Sequence, residues 1–151
     1  MDNRLSAHFT LSELTRSDRA REIGIANIPT KEHYANLVTL AAHLERVRAL
    51  LGQPMDVSSG YRSAELNAAT PGASNTSDHA KGLSCDFTSA RFGSVQQVCE
   101  AIVASDLKFD QIIWEQKHGK EWCHLGFGPR MRREILSYSP KTAYVPGLKK
   151  L

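Results

Sequence analysis

The sequence predicts a single α+β domain in which N-terminal helices pack on a small antiparallel sheet. Apolar residues recur at helical spacing in the N-terminal half, whereas the C-terminal half contains short runs typical of strands. Helices followed by strands, rather than helices alternating with strands, are typical of the α+β class. A length of 151 residues is sufficient for one domain with its own hydrophobic core.

Two helical segments are predicted at the N-terminus. Residues 8–23 begin with a capping-box pattern, in which Thr10 is followed three residues later by Glu13. The helix predicted from about Thr30 to Leu51 is the clearest in the chain, and Gly52 ends it. One face of this helix collects the apolar residues Leu37, Leu40, Ala41, Leu44, Val47 and Leu51.

Short elements separated by turn-forming residues follow this helix. In order, they are a strand at 55–58, a helical turn at 64–69, a loop at 70–82, a strand at 83–89, a helix at 94–106 capped by Ser94, and two strands at 109–115 and 121–127. The last two strands are separated by a turn and therefore predict a hairpin. We expect the domain to span residues 1–128, with a core at 8–128, and residues 129–151 to form a peripheral strand or tail.

Composition excludes several classes of protein. The net charge of +3 is small and the basic residues of the chain are scattered, so no nucleic-acid partner is expected. Three cysteines without a CxxC pair predict free thiols rather than disulfides or a cysteine zinc site. The first residues do not resemble a signal peptide, and no apolar run is long enough to span a membrane. We expect a monomer that is synthesised in the cytoplasm.

Two histidines and one aspartate lie in strand-like or loop contexts that favour a metal site. His79 lies in the loop before the strand at 83–89, Asp86 lies on that strand, and His124 lies within another apolar strand. Polar groups in such positions need partners, because burying an unpaired charge is costly. Two imidazoles and one carboxylate would leave a fourth zinc position open for catalysis. A metal-free, buried His–Asp hydrogen bond fits the same spacing.

A zinc hydrolase also needs a general base and a group that stabilises the oxyanion. Glu121 lies three residues before His124, so the two are on opposite faces of a regular strand, and Glu121 reaches the metal only if that strand is irregular. Glu115 shares a face with His124 if residue 113 pairs with residue 124. The residues themselves leave both glutamates open. Arg62, which follows the break at Gly60, is a candidate for binding a substrate carboxylate or carbonyl.

Three segments resemble the zinc D-alanyl-D-alanine carboxypeptidase family, which also includes phage L-alanyl-D-glutamate peptidases. SDHAKGLSCD (77–86) resembles its Ser-x-His-x-x-Gly-x-x-x-Asp motif, and EWCHLGF (121–127) resembles its Trp-x-His strand. SSGYRS (58–63) resembles the segment that carries its substrate-binding arginine. Residues 9–29 resemble the start of its small, single-domain phage and prophage branch.

The resemblance implies one Zn²⁺ bound by His79, Asp86 and His124, with Arg62 and Ser77 at the substrate. It favours Glu121 as the base, while Glu115 remains the alternative. The expected activity is hydrolysis of peptidoglycan stem peptides at amide bonds involving D-amino acids. The protein would act on the cell wall after holin-type release or as a virion component. The alternative function is a metal-binding but inactive module that binds cell wall or serves in a phage particle.

Overall fold

The computed structural model describes residues 3–74 and 76–151 and confirms the α+β class. Residues 1 and 2 of the predicted domain and position 75 of the predicted loop lie outside the described residues. Over the described ranges the chain forms five α-helices, one 3-10 helix and six strands. The helices are α1 (Leu11–Thr15), α2 (Asp18–Ile23), α3 (Lys31–Leu51), α4 (Ala64–Ala68) and α5 (Val95–Ala104), and the 3-10 helix is Asp78–Lys81.

The predicted N-terminal helical segment is divided into α1 and α2. Thr10 caps α1 as predicted, since its side chain accepts a hydrogen bond from the Glu13 N–H. Arg16 then takes an extended conformation, and the Ser17 side chain accepts from the Ala20 N–H. Ser17 thereby starts a second helix, because a serine side chain is more favourable as the N-cap of a helix than in a helix interior.

The longest predicted helix is confirmed as α3. The Thr30 side chain accepts from the His33 N–H at its start, and Gly52 ends it in the left-handed conformation with φ of 65°. All six apolar residues predicted to face inward are buried: Leu37, Leu40, Ala41, Leu44, Val47 and Leu51. Among the described residues, no helix combines the length and apolar character needed to cross a bilayer.

The six strands form one sheet in the order β1-β2-β4-β3-β5-β6. Neighbouring strands are antiparallel except β3 and β5, which are parallel. The strands are β1 (Asp56–Ser59), β2 (Ser84–Thr88), β3 (Gln111–Lys117), β4 (Lys120–Gly126), β5 (Glu134–Ser139) and β6 (Ala143–Pro146). The predicted hairpin corresponds to β3 and β4.

The segment 129–151 contains two strands at one edge of the sheet. Gly126 at the end of β4 and Glu134 at the start of β5 both pair with Gln111, so a short connection is enough to bring β5 in parallel to β3. Side chains attach this edge to the rest of the molecule. Ser137 is buried and donates to the Gly147 carbonyl, and Gln116 of β3 donates to the Lys149 carbonyl.

The two faces of the sheet have different environments. Cys85, Phe87, Ile112, Trp114, Cys123 and Leu125 belong to the hydrophobic core together with the inner residues of α3 and α5. Because side chains alternate along a strand, the residues between them point to the opposite face. That opposite face forms one wall of a cleft.

Candidate metal centre and active-site cleft

A cleft of about 820 Å³ lies over the face of the sheet that the helices leave uncovered. Asp86 on β2 pairs with His124 on β4, and His124 pairs with Ile113 on β3, so these three side chains point to the same side of the sheet. All three line the cleft. His79 reaches the same place from the 3-10 helix that precedes β2.

The three residues predicted to bind metal come together in this cleft. One donor atom from each of His79, Asp86 and His124 lies within 4.8 Å of the other two. Asp86 Oδ1 is 3.3 Å from His79 Nε2 and 2.9 Å from His124 Nδ1. The two imidazole rings are tilted by 58°, with centroids 5.1 Å apart. Two imidazole nitrogens and one carboxylate oxygen are typical ligands of catalytic zinc, so these residues fit the ion.

The orientation of His79 is set by a hydrogen bond on the side of the ring away from Asp86. Its Nδ1–H donates to the Gly60 carbonyl at 2.7 Å, which leaves Nε2 facing the carboxylate. Such a partner selects the tautomer and orientation of a metal-binding histidine. Gly60 is required here because a Cβ on it would lie 2.4 Å from the Leu14 carbonyl oxygen of α1.

Gly82 ends the 3-10 helix that carries His79. It has φ of 75°, and a Cβ would lie 3.0 Å from the His33 carbonyl and 3.1 Å from the Leu37 side chain of α3. Glycine therefore meets both a conformational and a steric requirement at the turn between His79 and β2.

The electrostatics of Asp86 favour the carboxylate form. Burial opposes ionisation of this side chain, but the charges of His79 and His124 and hydrogen bonds from both rings outweigh burial and hold its pKa well below the usual range. An ionised carboxylate held between two imidazoles is already in the protonation state that metal binding requires.

The structure places Glu115 beside the candidate metal ligands. Ile113 pairs with His124, which is the register that brings Glu115 and His124 to the same face, and Glu115 Oε1 lies 4.0 Å from His124 Nδ1. Burial raises the pKa of Glu115 to about 7, with a smaller contribution from the nearby Asp86 charge. The charges of His124 and Arg62 act in the opposite direction and lower this pKa. A carboxyl group with such a pKa can both accept and donate a proton near neutral pH.

Glu121 points away from the candidate metal ligands. It pairs with Gln116, on the face opposite to His124, and it is exposed. The pairing of β3 with β4 continues in register from Gln111 and Gly126 to Lys117 and Lys120. The strand irregularity that would turn Glu121 towards the metal is therefore not present between these described residues.

Arg62 and Ser77 lie at the edge of the candidate metal site. The Arg62 guanidinium donates from Nη2 to Ser77 Oγ at 3.2 Å, and Ser77 Oγ also accepts from the His79 N–H. Burial lowers the pKa of Arg62, whereas the charges of Asp86 and Glu115 raise it. Its Nε is buried and has no hydrogen-bond partner among the described residues.

Asn27 is a supporting residue that sequence reasoning missed. Its buried side chain donates to the Thr15 and Tyr61 carbonyls and accepts from the Ser63 N–H, so it holds the segment around Arg62 against the N-terminal helices. These partners are distant in the sequence and leave no local pattern. Asn27 itself has φ of 50°, a left-handed conformation that asparagine adopts more readily than most residues.

Tyr138 of β5 and Tyr144 of β6 also line the cleft and were not predicted. They come from the segment for which the sequence suggested only a peripheral strand or tail. Their rings lie 4.8 Å apart. The three free cysteines are buried.

Comparison with known proteins agrees with this geometry. The family model described as Peptidase M15 matches residues 7–124, which include all three candidate metal ligands, Arg62 and Glu115. No sequence among the curated proteins matches the chain significantly. A match over more than half of the chain, together with the His–Asp–His cluster, shows that this protein belongs to the peptidase M15 family of zinc metallopeptidases.

Proposed function

We propose that the protein is a zinc-dependent peptidase that hydrolyses peptidoglycan stem peptides at amide bonds involving D-amino acids. The main support is the position of a half-buried glutamate, Glu115, beside the His79–Asp86–His124 cluster in an open cleft. Zinc held by these three side chains would supply Lewis-acid chemistry, activating water and polarising the scissile carbonyl.

Glu115 is the general base in this proposal. Its carboxylate accepts a proton from the attacking water and then donates that proton to the nitrogen of the leaving amine, so the group returns to its starting state. Its distance of 4.0 Å from His124 and its raised pKa support this role. The outward orientation of Glu121 and its exposure argue against Glu121 as the base.

Arg62 is proposed to bind the substrate and stabilise the developing oxyanion. Its contact with Ser77 holds the guanidinium at the edge of the cleft that Arg62 lines. A well-placed donor of this kind contributes a few kcal/mol to transition-state stabilisation, roughly 3 kcal/mol in the measured cases. Ser77 orients Arg62 and also accepts from the backbone of His79.

The biological setting that we propose is lysis of a bacterial cell wall by a phage or prophage enzyme. The support is the resemblance of residues 9–29 to the small, single-domain branch of the family. In this setting the protein reaches the wall after holin-type release or as part of a virion. The inactive cell-wall-binding module is the weaker alternative, because it would not need a half-buried carboxylate beside the candidate metal ligands.

The test is hydrolysis of purified peptidoglycan by the zinc-loaded protein, with the released fragments identified by mass spectrometry. We expect release that a chelator prevents and that added zinc restores. The fragment masses distinguish removal of a terminal D-alanine from a cut inside the stem peptide. Stoichiometric zinc binding without release from several wall chemistries would contradict the peptidase proposal and favour the binding module.

A further inference from the structure

The cleft extends well beyond the candidate metal site along one row of side chains. Trp122, Glu115, Tyr138 and Tyr144 are consecutive register partners on β4, β3, β5 and β6, so they form a straight row on one face of the sheet. The row lies next to the pair Asp86 and His124. Two of its four members belong to β5 and β6, outside the residues 7–124 that match the family model.

Tyr144 is exposed in the cleft, and Tyr138 beside it is half-buried. The Tyr144 side chain is 59% exposed, although large aromatic side chains are usually well covered. Its ring contacts Tyr138, with centroids 4.8 Å apart and planes tilted by 44°. Both residues line the same cleft as His79, Asp86 and His124.

The strands that carry the tyrosines are anchored, so the backbone of this cleft wall is held in place. Ser137 donates to the Gly147 carbonyl and accepts from the Lys149 N–H, which closes the end of the β5–β6 pair. At the turn, the Thr142 N–H donates to Ser139 Oγ. A wall held in this way loses little conformational entropy when a ligand binds.

The spacing of the row sets the length of ligand that could reach the tyrosines. Neighbouring strands lie about 4.8 Å apart, so Tyr138 is roughly 10 Å and Tyr144 roughly 14 Å from the level of β4. An extended peptide advances about 3.3 Å per residue. A peptide leaving the metal site across the sheet therefore reaches the tyrosines after about three to four residues.

We propose that Tyr138 and Tyr144 form a distal aromatic subsite that binds the portion of a peptide substrate three to four residues from the scissile bond. This inference rests on the proposed peptidase function. The subsite makes the protein selective for length: stem peptides of four or five residues gain the aromatic contact, whereas a dipeptide cannot reach it.

The test measures peptide binding by calorimetry in the zinc-loaded Glu115→Gln protein, in which the proposed base is removed so that ligands are not consumed. The ligands are a stem pentapeptide ending in D-alanyl-D-alanine and the dipeptide D-alanyl-D-alanine. We expect Tyr144→Ala, added to this background, to weaken pentapeptide binding about fivefold to tenfold, the size typical of an aromatic contact. Dipeptide affinity should change less than about twofold on the same scale.

Two further variants separate the subsite from general effects. Tyr144→Phe keeps the ring and should retain most of the pentapeptide affinity. Tyr34→Ala removes an exposed tyrosine from α3, outside the cleft, and should change the affinity for neither ligand. Circular dichroism on each variant checks that the fold is intact.

The inference would be overturned by equal losses for both ligands, by no loss for the pentapeptide, or by failure of the pentapeptide to bind the parent protein. Its failure is distinguishable from failure of the proposed function. If the unmodified protein releases nothing from peptidoglycan while pentapeptide binding still depends on Tyr144, the subsite stands and the peptidase proposal fails. If the protein hydrolyses walls but Tyr144→Ala leaves pentapeptide binding unchanged, the peptidase proposal stands and the subsite proposal fails.

Discussion

On strand β4, Cys123 and Leu125 point into the hydrophobic core, whereas Trp122 and His124 point into the cleft. The neighbouring strand β3 divides in the same way, with Ile112 in the core and Ile113 and Glu115 in the cleft. The covered face is made of interchangeable apolar groups whose burial stabilises the fold. The cleft face carries polar groups, among them His124 and Glu115, whose role depends on specific partners. We therefore expect changes on the cleft face to act on metal binding and catalysis, and changes on the covered face to act on stability.

The largest effect is expected from removing a candidate metal ligand on the cleft side. His79→Ala should abolish zinc binding and peptidase activity together, because two remaining ligands hold catalytic zinc poorly. Metal analysis of the purified protein and fragment release from peptidoglycan measure the two effects. The control is His118→Asn, which changes an exposed histidine in the β3–β4 turn and should leave both unchanged. Stoichiometric zinc and full activity in His79→Ala would disprove the assignment.

The next largest effect distinguishes the two faces with one substitution at two glutamates. Glu115→Gln should leave zinc bound and reduce turnover by about 10² to 10⁴, the usual contribution of a general base. Glu121→Gln, on the outward face of the same hairpin, should alter turnover less than about twofold on that scale. Turnover of a stem peptide and zinc content should be measured for both. A reversed result would show that β4 rearranges to bring Glu121 to the metal.

The two glutamates also show where prediction from the sequence ends. Helical spacing was enough to identify α3 and its six buried residues, because a helix face is decided by local periodicity. The register of β3 with β4 is a non-local property, and a shift of one residue would move Glu115 to the other face. The sequence therefore left both glutamates open, and the family resemblance favoured the one that the structure turns outward.

The proximity of the three candidate ligands was more accessible to prediction than the rest of the cleft. His79, Asp86 and His124 are polar residues in apolar or turn-rich surroundings, and this contrast is visible in the chain. Asn27 lacks such a contrast, because its partners are backbone groups of Thr15, Tyr61 and Ser63. The tyrosines of β5 and β6 were missed because the parallel pairing of β5 with β3 depends on where β4 ends in space.

Two adjacent isoleucines on β3, one on each face of the sheet, allow the two faces to be compared by their effect on stability. Ile112 is fully buried in the core, whereas Ile113 is 4% exposed and lines the cleft. Ile112→Ala should lower the free energy of unfolding by about 2–5 kcal/mol, the usual cost of such a cavity. Ile113→Ala should cost less, because Ile113 lies at the wall of the cleft, where water can fill the space left by truncation. Urea unfolding at a constant, saturating zinc concentration compares the two variants. Equal losses would mean that the cleft face contributes to the core.

The smallest effect concerns the connection that leads from β4 to the cleft-lining strands β5 and β6. Arg132 donates two side-chain hydrogen bonds and its backbone N–H to the Asp110 carboxylate, and the side-chain bonds hold the pKa of Asp110 below its usual range against the effect of burial. Because the folded-state pKa is depressed, this stabilisation is present above the unfolded pKa of about 4 and is lost as the pH falls through the folded pKa.

Asp110→Asn should therefore lower stability by about 1 kcal/mol at pH 7, a small value because Arg132 is partly exposed. The difference from the unmodified protein should shrink as the pH falls below about 4, the range in which unfolded aspartate becomes protonated. Urea unfolding at pH 7 and at pH 3 measures this change. A difference that is the same at both pH values would mean that Asp110 stabilises the connection through its shape and neutral hydrogen bonds rather than through its charge.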